Sequence, residues 1–133
     1  MANVFIVEDD ASDLRHAKSL VTNLGVGKVD SASTVGAAVR YLDEIVEGKR
    51  EAPVLMILDL ALGYESGFEV LRRWKSDAHL KSIRVIVWTQ MGEREQELCR
   101  LFGLEHVVPK WGSEKELQDA VRAVVNLPSQ SSQ

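Results

Sequence analysis

Apolar residues fall in two rhythms along this chain. Short, nearly unbroken runs occupy positions 4–7, 28–32 (the weakest), 54–58, 83–88 and 105–108. Between them lie longer stretches in which apolar residues return every three or four positions. A short unbroken run is the signature of a strand covered on both faces. The spaced stretches predict amphipathic helices. In the first, Leu14, Ala17, Val21 and Leu24 share a face, and Gly25 can close the helix. The second covers 34–46 with Ser33 as N-cap. The third carries Phe68, Val70, Leu71 and Trp74. The fourth has Leu98, Leu101 and Phe102 as its apolar face and ends at Gly103. The fifth begins at Ser113, with Glu116 three residues on as a capping box, and its face is Leu117, Ala120, Val121 and Val124.

The order is strand then helix, five times over. Short strand–helix–strand connections dictate a parallel sheet with right-handed crossovers. The expected fold is therefore α/β: a doubly wound, five-stranded parallel sheet with five helices packed on both faces. In such a sheet, chemistry belongs beyond the carboxyl ends of the strands, near the point where the winding reverses.

Size and charge narrow the picture further. At 133 residues the chain is the size of one domain, expected over 1–127, with a disordered polar tail at 128–133. A domain this long buries roughly two-thirds of its unfolded surface and needs no disulfide or structural metal. The balance of 16 Lys and Arg against 20 Asp and Glu, net −4, gives no pull toward nucleic acid or an anionic membrane. No apolar run approaches the roughly 18 residues of a membrane span. A lone Cys99 and the absence of a basic segment before the first apolar run suggest a cytoplasmic protein without a signal peptide.

The candidate chemistry sits at the strand ends. The first strand ends in Glu8-Asp9-Asp10, the third in Asp59 and the fourth in Thr89, and Lys110 follows the fifth. Carboxylates crowded on one sheet edge disfavour one another's charge unless a cation joins them. A hard divalent cation suits oxygen ligands, and Mg²⁺ suits a site with few carboxylates that keeps its waters. Held by Asp9 and Asp59, it leaves positions for phosphate oxygens. Lys110 then adds positive charge and Thr89 a hydroxyl donor. In that setting Asp59 is a candidate nucleophile, giving an acyl phosphate. Acids ahead of a helix also suit its macrodipole, but that accounts for one acid more easily than for three.

In these residues the chain resembles a response-regulator receiver domain, the phosphoacceptor half of two-component signalling. Val4 through Asp10 resembles that family's first strand and acidic pair. Leu55 through Leu60, with Gly67 eight residues past Asp59, resembles its phosphorylation-site strand and loop. Val85 through Thr89 resembles its fourth strand with the switch threonine, and Val107 through Lys110 its lysine segment. The resemblance spans about residues 3–126 and implies a flavodoxin-like receiver fold of the single-domain type. It implies Asp59 as phosphoacceptor, and Glu8 and Asp9 as acidic pocket, with Asp9 a direct Mg²⁺ ligand. The metal set is then Glu8, Asp9, Asp59 and the backbone carbonyl of Ala61, with Thr89 and Lys110 on the phosphoryl group. The implied partners are a sensor histidine kinase or phosphotransfer protein, and a downstream protein on the face of the fourth helix, fifth strand and fifth helix. No enzyme activity is implied beyond the domain's own phosphoryl transfer and dephosphorylation.

Several positions depart from the family's pattern. Gly63 stands where Pro is usual, which predicts a more mobile loop. Gln90 replaces a small residue after Thr89 and is expected to crowd the site. Trp111 replaces a Pro that follows the lysine in cis. A cis bond before Trp costs about 2.5–4 kcal/mol, which puts the placement of Lys110 in question. The switch-aromatic position is Val107. Ala61 and Met91 cannot orient water with their side chains, so the phosphorylated state is expected to be long-lived; a half-life of seconds would count against it.

These departures support an alternative function, a phosphorylation-independent receiver-like interaction module. A haloacid-dehalogenase-type phosphatase is disfavoured because Ala61 stands where its second Asp belongs. A flavodoxin is disfavoured because Glu8-Asp9-Asp10 would repel a phosphate. His16, His79 and His106 lack metal-ligand spacing, Cys99 reads as packing, and Arg72-Arg73-Trp74-Lys75 as a solvated helix face. Trp74 and Trp88 read as core, and Trp111 as partly exposed.

Overall fold

The computed structural model describes residues 3–90, 92–112 and 114–125. The expected polar tail, Met91 and the Ser113 capping box lie outside the described residues. Five strands, β1 (Val4–Val7), β2 (Val29–Ala32), β3 (Leu55–Leu58), β4 (Arg84–Thr89) and β5 (His106–Pro109), form one parallel sheet in the order β2-β1-β3-β4-β5. The helices are α1 (Ala11–Asn23), α2 (Val35–Val46), α3 (Phe68–Lys75), α4 (Glu93–Leu101) and α5 (Glu114–Val125). This is the doubly wound, five-stranded parallel sheet with helices on both faces expected from the pattern. The winding reverses at β1 and β3, so Glu8 and Asp59 project at the switch point.

Strand alternation explains why the central runs are apolar throughout. Phe5, Val7, Met56, Leu58, Val85 and Val87 point into a core beneath α2, α3 and Cys99 of α4. Ile6, Leu55, Ile57, Ile86 and Trp88 point the other way, into a core closed by α1 and α5. Each fully buried aliphatic side chain here contributes roughly 1.5–3 kcal/mol, so both cores hold the sheet between two helix layers. The edge strand β2 is only half covered, which is why its run read weakly.

Local signals set the helix ends. Asp10 caps α1, accepting from the amides of Ser12 and Asp13, and Gly25 follows the helix at φ +90°. Thr34, not Ser33, caps α2 through the Ala37 amide, because it is the residue with extended backbone directly before the first turn. On α4 the expected apolar face is corrected. Cys99 is the buried residue and Phe102 packs beside it, while Leu98 and Leu101 are 39% and 75% exposed. The basic run on α3 is also more than a solvated face. Arg73 reaches Asp43 on α2 at 2.8 Å, and Lys75 donates to the carbonyl of Phe102 at 2.9 Å. Trp74 is partly buried and donates to the carbonyl of Ile83.

Candidate functional site

The backbone ladder delivers the acidic residues to one point. The Glu8 amide donates to the Ala32 carbonyl and the Asp59 amide to the Val7 carbonyl, both at 3.0 Å. Val7 pairs with Leu58, so Glu8 and Asp59 leave neighbouring strands side by side. Glu8 and Asp59 are 1% and 5% exposed, whereas Asp9 stands in solvent. Oxygens of Glu8, Asp9 and Asp59 all lie within 4.8 Å of one another.

Asp59 is held from three sides. The Thr89 hydroxyl donates to Oδ1, and the Ala61 amide donates to the same oxygen at 2.9 Å. The Lys110 ammonium donates to Oδ2 at 2.8 Å. Thr89 Oγ1 in turn accepts from the Leu60 amide at 3.3 Å, which fixes the hydroxyl's direction. Lys110 reaches the site without a cis bond, since no peptide among the described residues is cis. Strand register places it instead: Pro109 pairs with Thr89, and the Lys110 amide donates to the Thr89 carbonyl at 2.9 Å. Its Nζ lies 5.0 Å from the centroid of the Trp88 ring, a cation–π contact that supports the chain on its way in.

The ammonium is shared. Nζ lies 2.7 Å from Glu8 Oε1 and 2.7 Å from Asp13 Oδ2, besides Asp59. Asp13 was not among the residues singled out from the sequence. Its signal is an acid one turn into the helix that Asp10 caps, on the side facing the same sheet edge. Burial alone would lower the Lys110 pKa, but the hydrogen bonds to Asp13, Asp59 and Glu8 outweigh it and hold the ammonium well above the ordinary value. Burial raises Glu8 from 4.5 to about 7, helped by the charge of Asp59 and opposed by Lys110 and the Asp10 amide.

The donor set fits a hard cation. Three carboxylates, Glu8, Asp13 and Asp59, surround a single ammonium, and the Asp9 carboxylate joins Glu8 and Asp59 beside it. Glu8 Oε1 is buried with no partner other than that ammonium. Oxygen-only donors with an excess of negative charge suit Mg²⁺.

The loop past Asp59 is built for close approach. Ala61–Leu62 and Glu65–Ser66 form a small antiparallel ribbon with Gly63 near its tip at φ +65°. Proline cannot adopt that angle, so glycine here serves the turn geometry. A side chain on Gly67 would stand 2.3 Å from the Asp59 carbonyl, and the Gly67 amide donates to the Leu60 carbonyl at 2.8 Å. Gln90 is exposed. Val107 is half-buried against the core beneath α2 and α3, and Trp111 is 70% exposed. His16 stacks on Trp88 at 6.0 Å and lies 3.4 Å from Glu114 of α5. Burial pushes the Cys99 thiol up to about 11, which suits a packing role.

Known proteins resemble the chain along nearly its whole length. The family model for the response regulator receiver domain matches residues 4–122. The signal receiver domain of a DNA-binding response regulator from Colwellia psychrerythraea superposes with a TM-score of 0.80 at 22% identity, covering 95% of this chain and 99% of that one. The phosphorylated cyanobacterial phytochrome response regulator RcpA superposes at 0.78 with 26% identity, covering 99% and 96%. The receiver domain of a Pseudomonas aeruginosa sensor histidine kinase superposes at 0.77 with 18% identity, covering 94% and 98%, and holds a magnesium ion coordinated in its active-site cleft. No curated protein is similar enough in sequence to count as a match.

Proposed function

The chain belongs to the response-regulator receiver family of two-component signalling, and we propose that it is a phosphoacceptor switch that takes a phosphoryl group on Asp59. The observation that carries this reading is the convergence of the Thr89 hydroxyl, the Ala61 amide and the Lys110 ammonium on the Asp59 carboxylate. These three donors hold the nucleophile in one orientation and stand where the oxygens of an incoming phosphoryl group need hydrogen bonds and positive charge.

In the reaction, an Asp59 carboxylate oxygen attacks the phosphorus of a phosphohistidine on a sensor histidine kinase or phosphotransfer protein. The phosphorus–nitrogen bond breaks, its electron pair returns to the imidazole, and Asp59 carries an acyl phosphate. Mg²⁺, when bound by Glu8, Asp9, Asp59 and the Ala61 carbonyl, offsets the negative charge gathered there. Thr89 donates its hydroxyl to a phosphoryl oxygen, and Lys110 pairs with the phosphate. The output is an interaction with a downstream protein through α4, β5 and α5. Exposed Leu98 and Leu101 on α4 and Trp111 beyond β5 support that face. Val107 leaves no aromatic ring to rotate behind Thr89, so the shift of state passes through β4 and α4 by another route.

The test is incubation with a small-molecule phosphodonor and Mg²⁺, read by intact mass. One phosphoryl adduct is expected, absent in Asp59→Asn; an adduct that survives in Asp59→Asn overturns Asp59 as acceptor. Val107 favours one second reading, the phosphorylation-independent interaction module. A Mg²⁺ titration followed by Trp fluorescence, with Asp9→Ala as control, separates the two: no response in the native chain supports the module.

A further inference from the structure

A cation at the acidic cluster and the Lys110 ammonium draw on the same oxygens. Glu8 and Asp59 supply two of the three converging carboxylates, and each already holds Nζ, at 2.7 and 2.8 Å. A divalent cation that binds Glu8 and Asp59 competes with the ammonium for both. The third partner of the ammonium stands outside that cluster. Asp13 Oδ2 lies 2.7 Å from Nζ and comes from α1, not from a strand end. Its side chain is 37% exposed, against 1% for Glu8 and 6% for Asp59, so it sits at the solvent edge of the cluster. The first turn of α1 holds it there, since the Asp13 amide donates to the Asp10 cap at 3.2 Å.

We propose that Asp13 is a positioning residue for Lys110, keeping the ammonium at the acceptor when a divalent cation occupies the oxygens of Glu8 and Asp59. Without Asp13 the ammonium depends on those two carboxylates alone and resists the cation's entry. The inference rests on the phosphoacceptor reading only in taking Glu8, Asp9 and Asp59 as a cation site. Asp13 is more than an acid favoured by the helix dipole, because its carboxylate is spent on a lysine 97 positions away.

The experiment is a Mg²⁺ titration by calorimetry of the full chain, of Asp13→Asn, of Lys110→Met and of the double variant. Loss of one nearby negative charge weakens cation binding in any background, by about threefold at a solvent-facing distance. A positioning role adds a coupling between the two residues on top of that. Asp13→Asn is therefore expected to weaken binding about tenfold with Lys110 present and no more than about threefold in Lys110→Met, and Asp13→Glu to restore it. Equal losses in both backgrounds, or no loss in either, overturn the proposal and leave the cation site standing. A native chain that binds no Mg²⁺ overturns the proposal and the metal-assisted reading together. Far-UV circular dichroism on each variant separates these outcomes from misfolding.

Discussion

Glu8 is a buried acid whose native pKa, about 7, stands well above its ordinary 4.5. The cause is first its burial and then the charge of Asp59, which one shared ammonium does not cancel. Between pH 4.5 and about 7 the native protein holds a proton that the unfolded chain has released. Native binds more protons than unfolded in that window, so stability falls as pH rises through it. The contribution is fully present below pH 4.5 and fully lost above about pH 7. At about 1.4 kcal/mol per pH unit the full swing is on the order of 3 kcal/mol. The assay is urea unfolding in EDTA at several pH values across the window, on the native chain and on Glu8→Gln, which cannot ionise. The stability of Glu8→Gln relative to the native chain is expected to rise with pH by this amount. Mg²⁺ at a hundred times its dissociation constant should return about 2.7 kcal/mol to the native chain at the alkaline end. A difference between the two proteins that stays constant across the window refutes the reasoning.

Three further outcomes follow from the same geometry. Gly67→Ala sets a methyl 2.3 Å from the Asp59 carbonyl, so it should cost about 1–3 kcal/mol in urea unfolding and slow phosphorylation by displacing the Leu60–Ala61 backbone. Tyr41→Phe keeps the ring stacked on Phe5 at 3.7 Å but loses the hydroxyl's 2.9 Å bond to Asp30, so a loss of about 1 kcal/mol is expected; no loss would mean the bond gains nothing over water. The Lys110 ammonium lies 5.0 Å from the Trp88 ring, so Mg²⁺ or beryllofluoride should change Trp fluorescence, and Trp88→Phe should remove most of that change. A signal that persists undiminished in Trp88→Phe would place the reporter at Trp74 or Trp111.

Much of this molecule was legible before any coordinates. The parallel doubly wound topology put Glu8, Asp9, Asp59, Thr89 and Lys110 on one edge by necessity, since each ends a strand or lies within two residues of its end. The errors cluster where local pattern is ambiguous. On α4, Leu98 and Leu101 looked like the buried face because a smaller residue, Cys99, takes the core contact. The ribbon after Asp59 was missed because two-residue strands leave no periodicity to read.

Sequence alone determined the five sheet strands and five helices, how they connect and which edge of the sheet collects the acids, because periodicity and short crossovers are properties of neighbouring residues. Tertiary structure decided what those acids touch. That Asp13 shares the ammonium of Lys110, and that Gly67 must lack a side chain because the Asp59 backbone passes beside it, depend on distances between segments far apart in the chain. Such distances are set by strand register and helix packing together, and no local pattern of residues encodes them.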